Sequence, residues 1–487
     1  MDSCEVKEYS SDQEALQATD SIDAATLEQE KKLLWKLDRK ILPLTCSLYL
    51  LSFLDRTNLG NARLMGLPQD TLGGDPTGVL FDWATSAFFI TFMLFQVPIT
   101  VLSKRFSPRL WLGCFAIAWG ICSTLMATTF DFSGLIATRL ALGLCEAGFG
   151  PTLVLYLSFY YTRAEYGARI AYWFGFASIA GAFSGLIAFG VQHAKVSIAN
   201  WRLLFIVEGV PTILVGIYCL FALLDRPEST HSLNAMERKL AIARMNRGTS
   251  GDVGKVINSR HVLAAFLDWR VYAFGVMYFG LFCATGSIGA FLPTIIATMG
   301  YTNAMAQLLT VPPYTVATVV LVSMAYTSDR LQSRGLFVFT ACLLSGIGYV
   351  LLLFITHNQR IRYFAVFCAT TGAFSGIGLS MAWFTHNLGS ESKRATGVSL
   401  CGAIGQGGSI LGSHLYPLTE QPEYRRGLTV SGSLLLASAL CALILTVSYR
   451  WDNKQRDKQV GNEIIDPDAT VDTSEQADKA VQFRYIP

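Results

Sequence analysis

An acid, a base and an amide stand close together in the stretch "LSFLDRTNLGNARLMGL", where Asp55 and Arg56 are adjacent and Asn58 follows. A second group lies in "ATRLALGLCEAGFGPT". There Arg139, Gly143 and Glu146 are spaced four and three apart, so they share one helical face. Arg139 and Glu146 are then about 10 Å apart along the helix, too far to touch but able to line one cavity. The chemistry on offer depends on the solvent. In lipid, a charge costs several kcal/mol and marks a pathway or a relay. Burial favours the neutral form of a carboxyl, and a nearby arginine favours the charged form. Such a group can take a proton when open to one side and release it to the other. An arginine whose carboxylate partner has been neutralised becomes a site for an anion, preferably a carboxylate. Proton and anion would then be coupled through the same acids. The bland alternative is a buried cluster in which two acids neutralise two arginines, a role that apolar residues fill with little loss.

Composition decides the solvent. The chain has 487 residues, 52% hydrophobic and 15% charged, with a mean hydropathy of +0.40. A soluble protein carries roughly 25% charged residues, so the deficit points to a polytopic, all-α membrane protein. Runs long enough to cross a bilayer occur near 41–66, 83–103, 110–129, 133–160, 168–191 and 202–224, and again near 270–296, 307–327, 336–356, 362–385, 396–416 and 428–449. They are numbered spans 1 to 12 in chain order. The expected organisation is an N-terminal six-helix bundle (37–224), a central loop (225–268), a C-terminal six-helix bundle (269–450), and polar, unstructured tails (1–36 and 451–487). Asp55 lies about 21 Å along the helix from Ile41, in the outer half of span 1.

Lys and Arg set the orientation. They crowd the segment before span 1 (Lys31, Lys32, Lys36), the 2–3 loop (Lys104, Arg105, Arg109), the central loop and the tail after Arg450. The opposite loops are poorer, and the 1–2 loop carries Asp70, Asp75 and Asp82. Both termini are expected in the cytoplasm. The first thirty residues hold no apolar core for a cleaved leader, so insertion is expected to begin with span 1. The stretch "NAMERKLAIARM" has capping-box spacing at Asn234 and Glu237 and a helical apolar period, which predicts a short amphipathic helix tethering the halves.

Spans 5 and 11 are equivalent in a six-plus-six repeat, and each carries a GxxxG: Gly181 with Gly185, Gly408 with Gly412. Such pairs serve static close packing or bundles that rock against each other. The eleven cysteines are scattered, mostly through apolar runs (Cys46, Cys145, Cys283, Cys401), with no CxxC pair, and read as packing residues rather than a disulfide or zinc framework. Net charge of +3 gives no reason to expect nucleic acid. No nucleophile–base pairing, metal cluster or phosphate loop suggests an enzyme, and no cofactor is expected.

The second half is sparser in polar groups. Span 10 ends in "MAWFTHNLGSESKRA". His386 is either a helix-end residue near headgroups or part of a site. Asn387 either bonds a substrate or caps backbone carbonyls. Tyr278 and Trp383 are candidates for aromatic walls, though aromatics in spans usually pack.

With these residues in view, the chain resembles a major facilitator superfamily transporter, and more closely the fungal anion:cation symporters, the allantoate, nicotinate, pantothenate and biotin permeases. The likeness covers roughly residues 35 to 450 and rests on "LDRTNLGNA", "TRLALGLCEAGFGP", "WRLLFIVEGVPT", "DRPEST", "KRATGVSL" and "YPLTEQPEYRRG". The resemblance implies the major facilitator fold, twelve transmembrane helices in two bundles with alternating access, acting as a monomer. It implies proton-coupling acids at Asp55 and Glu146, anion-binding arginines at Arg56 and Arg139, and a polar substrate-site position at Asn387. Asn58 and His386 join the expected substrate site with Tyr278 and Trp383. Gating pairs are implied in the 2–3 and 8–9 loops. There, "TVLSKRFSPRL" puts Lys104, followed by Arg105, where the superfamily has an Asp, whereas "SDRLQSRG" keeps Asp329 and Arg330. His386 stands where the family more often has a second Asn. The expected function is proton-coupled import of a small organic anion at the plasma membrane. The alternatives are export of a fungal metabolite by proton antiport and, ranked below it, a nutrient receptor that does not transport.

Overall fold

The computed structural model describes residues 2–230, 232–248, 258–460 and 477–487. Its regular elements are all helices among the described residues, as a lipid setting demands, because a helix satisfies its own backbone groups. Span 1 is the latter part of helix Asp2–Leu64, and spans 2 and 3 are Val79–Ser103 and Pro108–Met126. Span 4 is Phe132–Ala147 continued by Gly150–Leu157; spans 5 and 6 are Arg163–Gln192 and Asn200–Ala222. The second half has Trp269–Ala297, then Asn303–Leu308 with Val311–Leu331, then Arg334–Phe354, Gln359–His386, Glu391–Ser413 and Arg425–Val460 as spans 7 to 12. Among the described residues, ten helical segments are long and apolar enough to cross a membrane. Spans 1 and 11 are the other two crossings. One carries Asp55 and Arg56, and the other is rich in Gly and Ser, so their mean hydropathy is lower.

Spans 3 and 6 pack closely in the first half, as do spans 7 and 11, and 9 and 10, in the second. The halves meet along spans 2 and 11, 5 and 8, 5 and 10, and 1 and 7. The two GxxxG pairs serve different interfaces. A Cβ on Gly181 would sit 2.5 Å from the Tyr314 ring, and one on Gly185 2.3 Å from the Thr310 hydroxyl, so span 5 is pressed against span 8 at the seam. A Cβ on Gly408 would fall 2.0 Å from the Phe279 carbonyl, so that pair joins spans 11 and 7 inside the second half. Span 4 breaks in "EAGFGP" because Pro151, at the start of the second piece, has no N–H to donate and crowds the preceding turn. At the break the indole of Trp111 donates to the Gly148 carbonyl at 3.1 Å.

The tails depart from expectation. Residues 28–36 continue the helix of span 1 instead of being unstructured. Leu33, Leu37 and Ile41 recur at helical spacing and are buried. Lys36 pairs with Glu237 at 2.7 Å, which ties this extension to the central helix Ala235–Gly248. At the other end, span 12 runs on to Val460. Residues 461–476 lie outside the described residues, but 477–487 fold back onto the second half, with Phe483 and Tyr485 buried. Lys393 bridges Asp268 and Asp478, each at 2.6 Å. Polarity suggested disorder there, but the closing "VQFRYIP" supplies the apolar and aromatic anchors that pay the ordering entropy.

Candidate functional site

A cavity of about 110 Å³ lies between the halves. Its wall is largely aromatic, with Phe53, Phe89, Phe92 and Trp173 from the first half and Tyr278, Phe282 and Phe374 from the second. Polar groups are few: Gln96, Thr285, Gln406 and Ser409 among them. Arg56 is the only charged residue on the wall among the described residues.

Arg56 is held from behind. Its Nε and Nη2 both reach Glu146 Oε2 at 2.8 Å. The Ser52 hydroxyl donates to the same oxygen at 3.0 Å. Glu146 is fully buried, and its Oε1 takes no hydrogen bond among the described residues. The guanidinium also lies near the rings of Phe88 and Phe92, at 5.3 and 4.9 Å. Spans 1 and 4 thus place an arginine at the cavity with a carboxylate behind it.

The remaining first-half residues form a deeper layer. Arg139 is buried, with Nε donating to the Ala84 carbonyl at 3.2 Å and its guanidinium 5.3 Å from the Phe88 ring. The Phe88 ring therefore neighbours both arginines. Asp55 is buried off the cavity and accepts a hydrogen bond from the Ser123 hydroxyl. Asn58 is buried beside this acid rather than on the wall. A third acid completes the layer: Glu208 of span 6, buried, with both oxygens outside hydrogen-bond geometry among the described residues.

In the second half, Tyr278 lines the cavity, its hydroxyl donating to the Ile377 carbonyl at 3.3 Å. Trp383 and Asn387, expected at the substrate, are engaged by the folded-back tail instead. The Trp383 indole donates to the Ile486 carbonyl at 2.8 Å. Asn387 clasps Ile486 from both sides, donating to its carbonyl at 3.0 Å and accepting from its N–H at 2.9 Å. These side chains lie at the end of span 10, where the tail supplies the partners that substrate was expected to supply. His386 is half-buried beside them, off the cavity wall.

The loop motifs also differ from expectation. Asp329 pairs with Arg334 at 2.7 Å, while its neighbour Arg330 is exposed and lies over the Tyr326 ring. Lys104 is buried and reaches across the seam to the Ser392 hydroxyl at 3.4 Å; Arg105 is exposed. At the opposite end of the seam, the Ser86 hydroxyl meets Ser413 at 2.7 Å and His414 at 2.8 Å. Contacts between the halves therefore stand on both sides of the cavity.

Sequence reasoning missed Glu208, Gln96, Gln406 and Ser52. Glu208 had a signal, an acid in the middle of an apolar run. The glutamines had only their polarity within spans, and Ser52 had none.

Comparison with known proteins agrees with this architecture. The chain is 35% identical over 472 residues to the MFS-type transporter cnsO of Penicillium expansum, covering 94% of this chain and 90% of that one. It is 30% identical over 470 residues to the high-affinity nicotinic acid transporter of Saccharomyces cerevisiae, covering 96% and 87%. The solved proton:xylose symporter XylE superposes with a TM-score of 0.66 at 13% identity, covering 84% of this chain and 94% of that one, a likeness of fold. The sequence model of the Major Facilitator Superfamily matches residues 45–413. Twelve crossings in two halves around a central cavity and this match place the chain in the Major Facilitator Superfamily, as a multi-pass membrane transporter and not an enzyme.

Proposed function

We propose that this transporter carries a small organic anion in symport with protons, and that Arg56 holds the anion's carboxylate. One juxtaposition carries the reading: the only charged side chain on an aromatic cavity wall among the described residues is paired with a buried carboxylate, Glu146. While Glu146 is charged it occupies the guanidinium. A proton on Glu146 weakens that pair and leaves Arg56 to the anion. Loss of the anion on the other side lets Glu146 give up its proton and reclaim Arg56. Proton and anion then move together, because each makes room for the other.

The cavity favours a particular body. A largely aromatic wall with one arginine suits a flat ring bearing one carboxylate. Offset or edge contacts with such a ring contribute about 0.5–1.5 kcal/mol each. The name of the yeast nicotinic acid transporter supports the same class. A monomer suffices for this reading, since one chain encloses the cavity. The Lys and Arg bias supports cytoplasmic termini, and uptake of a nutrient is a plasma-membrane role.

The test uses purified protein in liposomes that contain a pH-sensitive dye. Nicotinate, allantoate, pantothenate, biotin and several dicarboxylates are added outside in turn. Internal acidification with one compound, lost in Arg56→Gln, is the expected result. Internal alkalinisation would mark an antiporter, and silence across the panel with folded protein would reject the reading.

A further inference from the structure

Glu208 is a buried acid that the Arg56–Glu146 exchange does not use. It lies in span 6, which packs against spans 1 and 3, and it is 2% exposed. Neither of its carboxyl oxygens meets a donor in hydrogen-bond geometry among the described residues. The groups acting on it are Asp55 and the Asn58 amide, both from span 1. Span 3 brings Ser123, which donates to Asp55, and Thr124, which stands against Gly209. Asp55 is thus the titratable group that faces Glu208, and Arg56, Arg139 and Glu146 act on Asp55 in turn.

A carboxylate placed there would be an uncompensated charge in an apolar interior beside a second acid. Such a charge costs far more than a lost hydrogen bond, and a group in that position keeps its proton. The partner acid has room for one as well: Asp55 Oδ1 accepts from Ser123, while Oδ2 is without a partner among the described residues. We propose that Glu208 is a further proton-carrying residue of the transport cycle, holding a proton in this conformation and exchanging it with Asp55. In the exchange the O–H bond at Glu208 breaks and one forms at Asp55 Oδ2, so the net charge of the pair is unchanged. The pair acts as a proton store behind the Arg56–Glu146 switch. This role rests on the symport reading above. A purely structural Glu208 would hold its proton throughout and leave the proton count untouched.

Two measurements test it on the full-length protein. Infrared spectra at neutral pH should contain a protonated carboxyl C=O band, part of which disappears in Glu208→Gln. In proteoliposomes given nicotinate and the panel above, the proton-to-anion ratio of Glu208→Gln should fall by one proton, while exchange of labelled for unlabelled anion without a pH gradient persists. An unchanged ratio beside a proton-moving wild type overturns this inference alone. A wild type that moves no proton overturns both this role and the symport reading. An infrared band unaffected by Glu208→Gln also overturns the inference. Should Glu208→Gln fail to fold, Glu208→Asp keeps the acid one methylene shorter. It should retain the wild-type ratio with slower transport and a shifted band, and an unshifted band counts against the inference.

Discussion

Replacing Glu146 by Gln probes the switch with almost no change of shape. In the wild type, Glu146 Oε2 accepts one hydrogen bond from Arg56 Nε at 2.8 Å and one from Ser52 at 3.0 Å, with Arg56 Nη2 also 2.8 Å away in an ion pair. The amide oxygen of Gln can accept from the same donors but carries no charge. A hydrogen bond to a charged group contributes about 1.5–3 kcal/mol, against about 1 for a neutral one. An incoming anion therefore has about 1–2 kcal/mol less to displace in Glu146→Gln, worth roughly five- to thirtyfold in affinity. The sign depends on pH. When the wild type is protonated on Glu146, the two proteins should bind nicotinate alike. At alkaline pH the wild-type carboxylate competes for Arg56, so the variant should bind more tightly by that factor. Coupling through Glu146 should be lost at the same time. A gradient of one pH unit can drive about tenfold accumulation per proton, and the variant should lose the tenfold that the Glu146 proton carries. Equilibrium binding across pH, paired with uptake under an imposed pH gradient, measures both. Accumulation at the wild-type level by Glu146→Gln would refute the reasoning, as would an affinity that falls with pH in step with the wild type.

Other expectations follow from the packing. Asn387→Ala strands the N–H and carbonyl of Ile486 and should destabilise the protein by about 1–3 kcal/mol, seen as a lower melting temperature with an unchanged KM; a raised KM alone would return Asn387 to the substrate. Gly408→Ala places a methyl 2.0 Å from a backbone carbonyl and should abolish folded protein on size-exclusion chromatography. Gly181→Ala presses on the Tyr314 ring at the seam and should leave folded protein that binds nicotinate but transports it slowly. Hydrogen bonds from Lys36 hold the Glu237 carboxyl below its ordinary value, so the clamp's contribution is full at neutral pH and above. It is lost as pH falls below the ordinary Glu range through that depressed value. Lys36→Met should therefore remove part of the acid-side fall in melting temperature, a small effect because the pair is partly exposed.

The spans were legible because apolar length is a local property, and the charged faces of spans 1 and 4 were legible because lipid makes each charge conspicuous. Arg56 and Tyr278 reach the cavity wall as their positions suggested. Seven-residue spacing put Arg139 and Glu146 on one face, but it carried no information about what covers that face. That is why Asp55, Asn58 and Arg139 turned out to lie in a deeper layer. Trp383 and Asn387 lie off the cavity wall for a related reason. Their partner, Ile486, is 99 or more residues away in sequence, and no local pattern announces a contact of that range. Glu208 was visible as an acid in an apolar run, yet its significance depends on Asp55, which only the packing of spans 1 and 6 brings near.

The central claim is that anion binding at Arg56 and protonation of Glu146 are one event. Calorimetric titration of the purified protein with nicotinate, in buffers of different ionisation enthalpy, counts the protons taken up per anion bound. At alkaline pH the account predicts a proton taken up with each anion, absent in Glu146→Gln. Tight binding with no proton uptake by the wild type would contradict it.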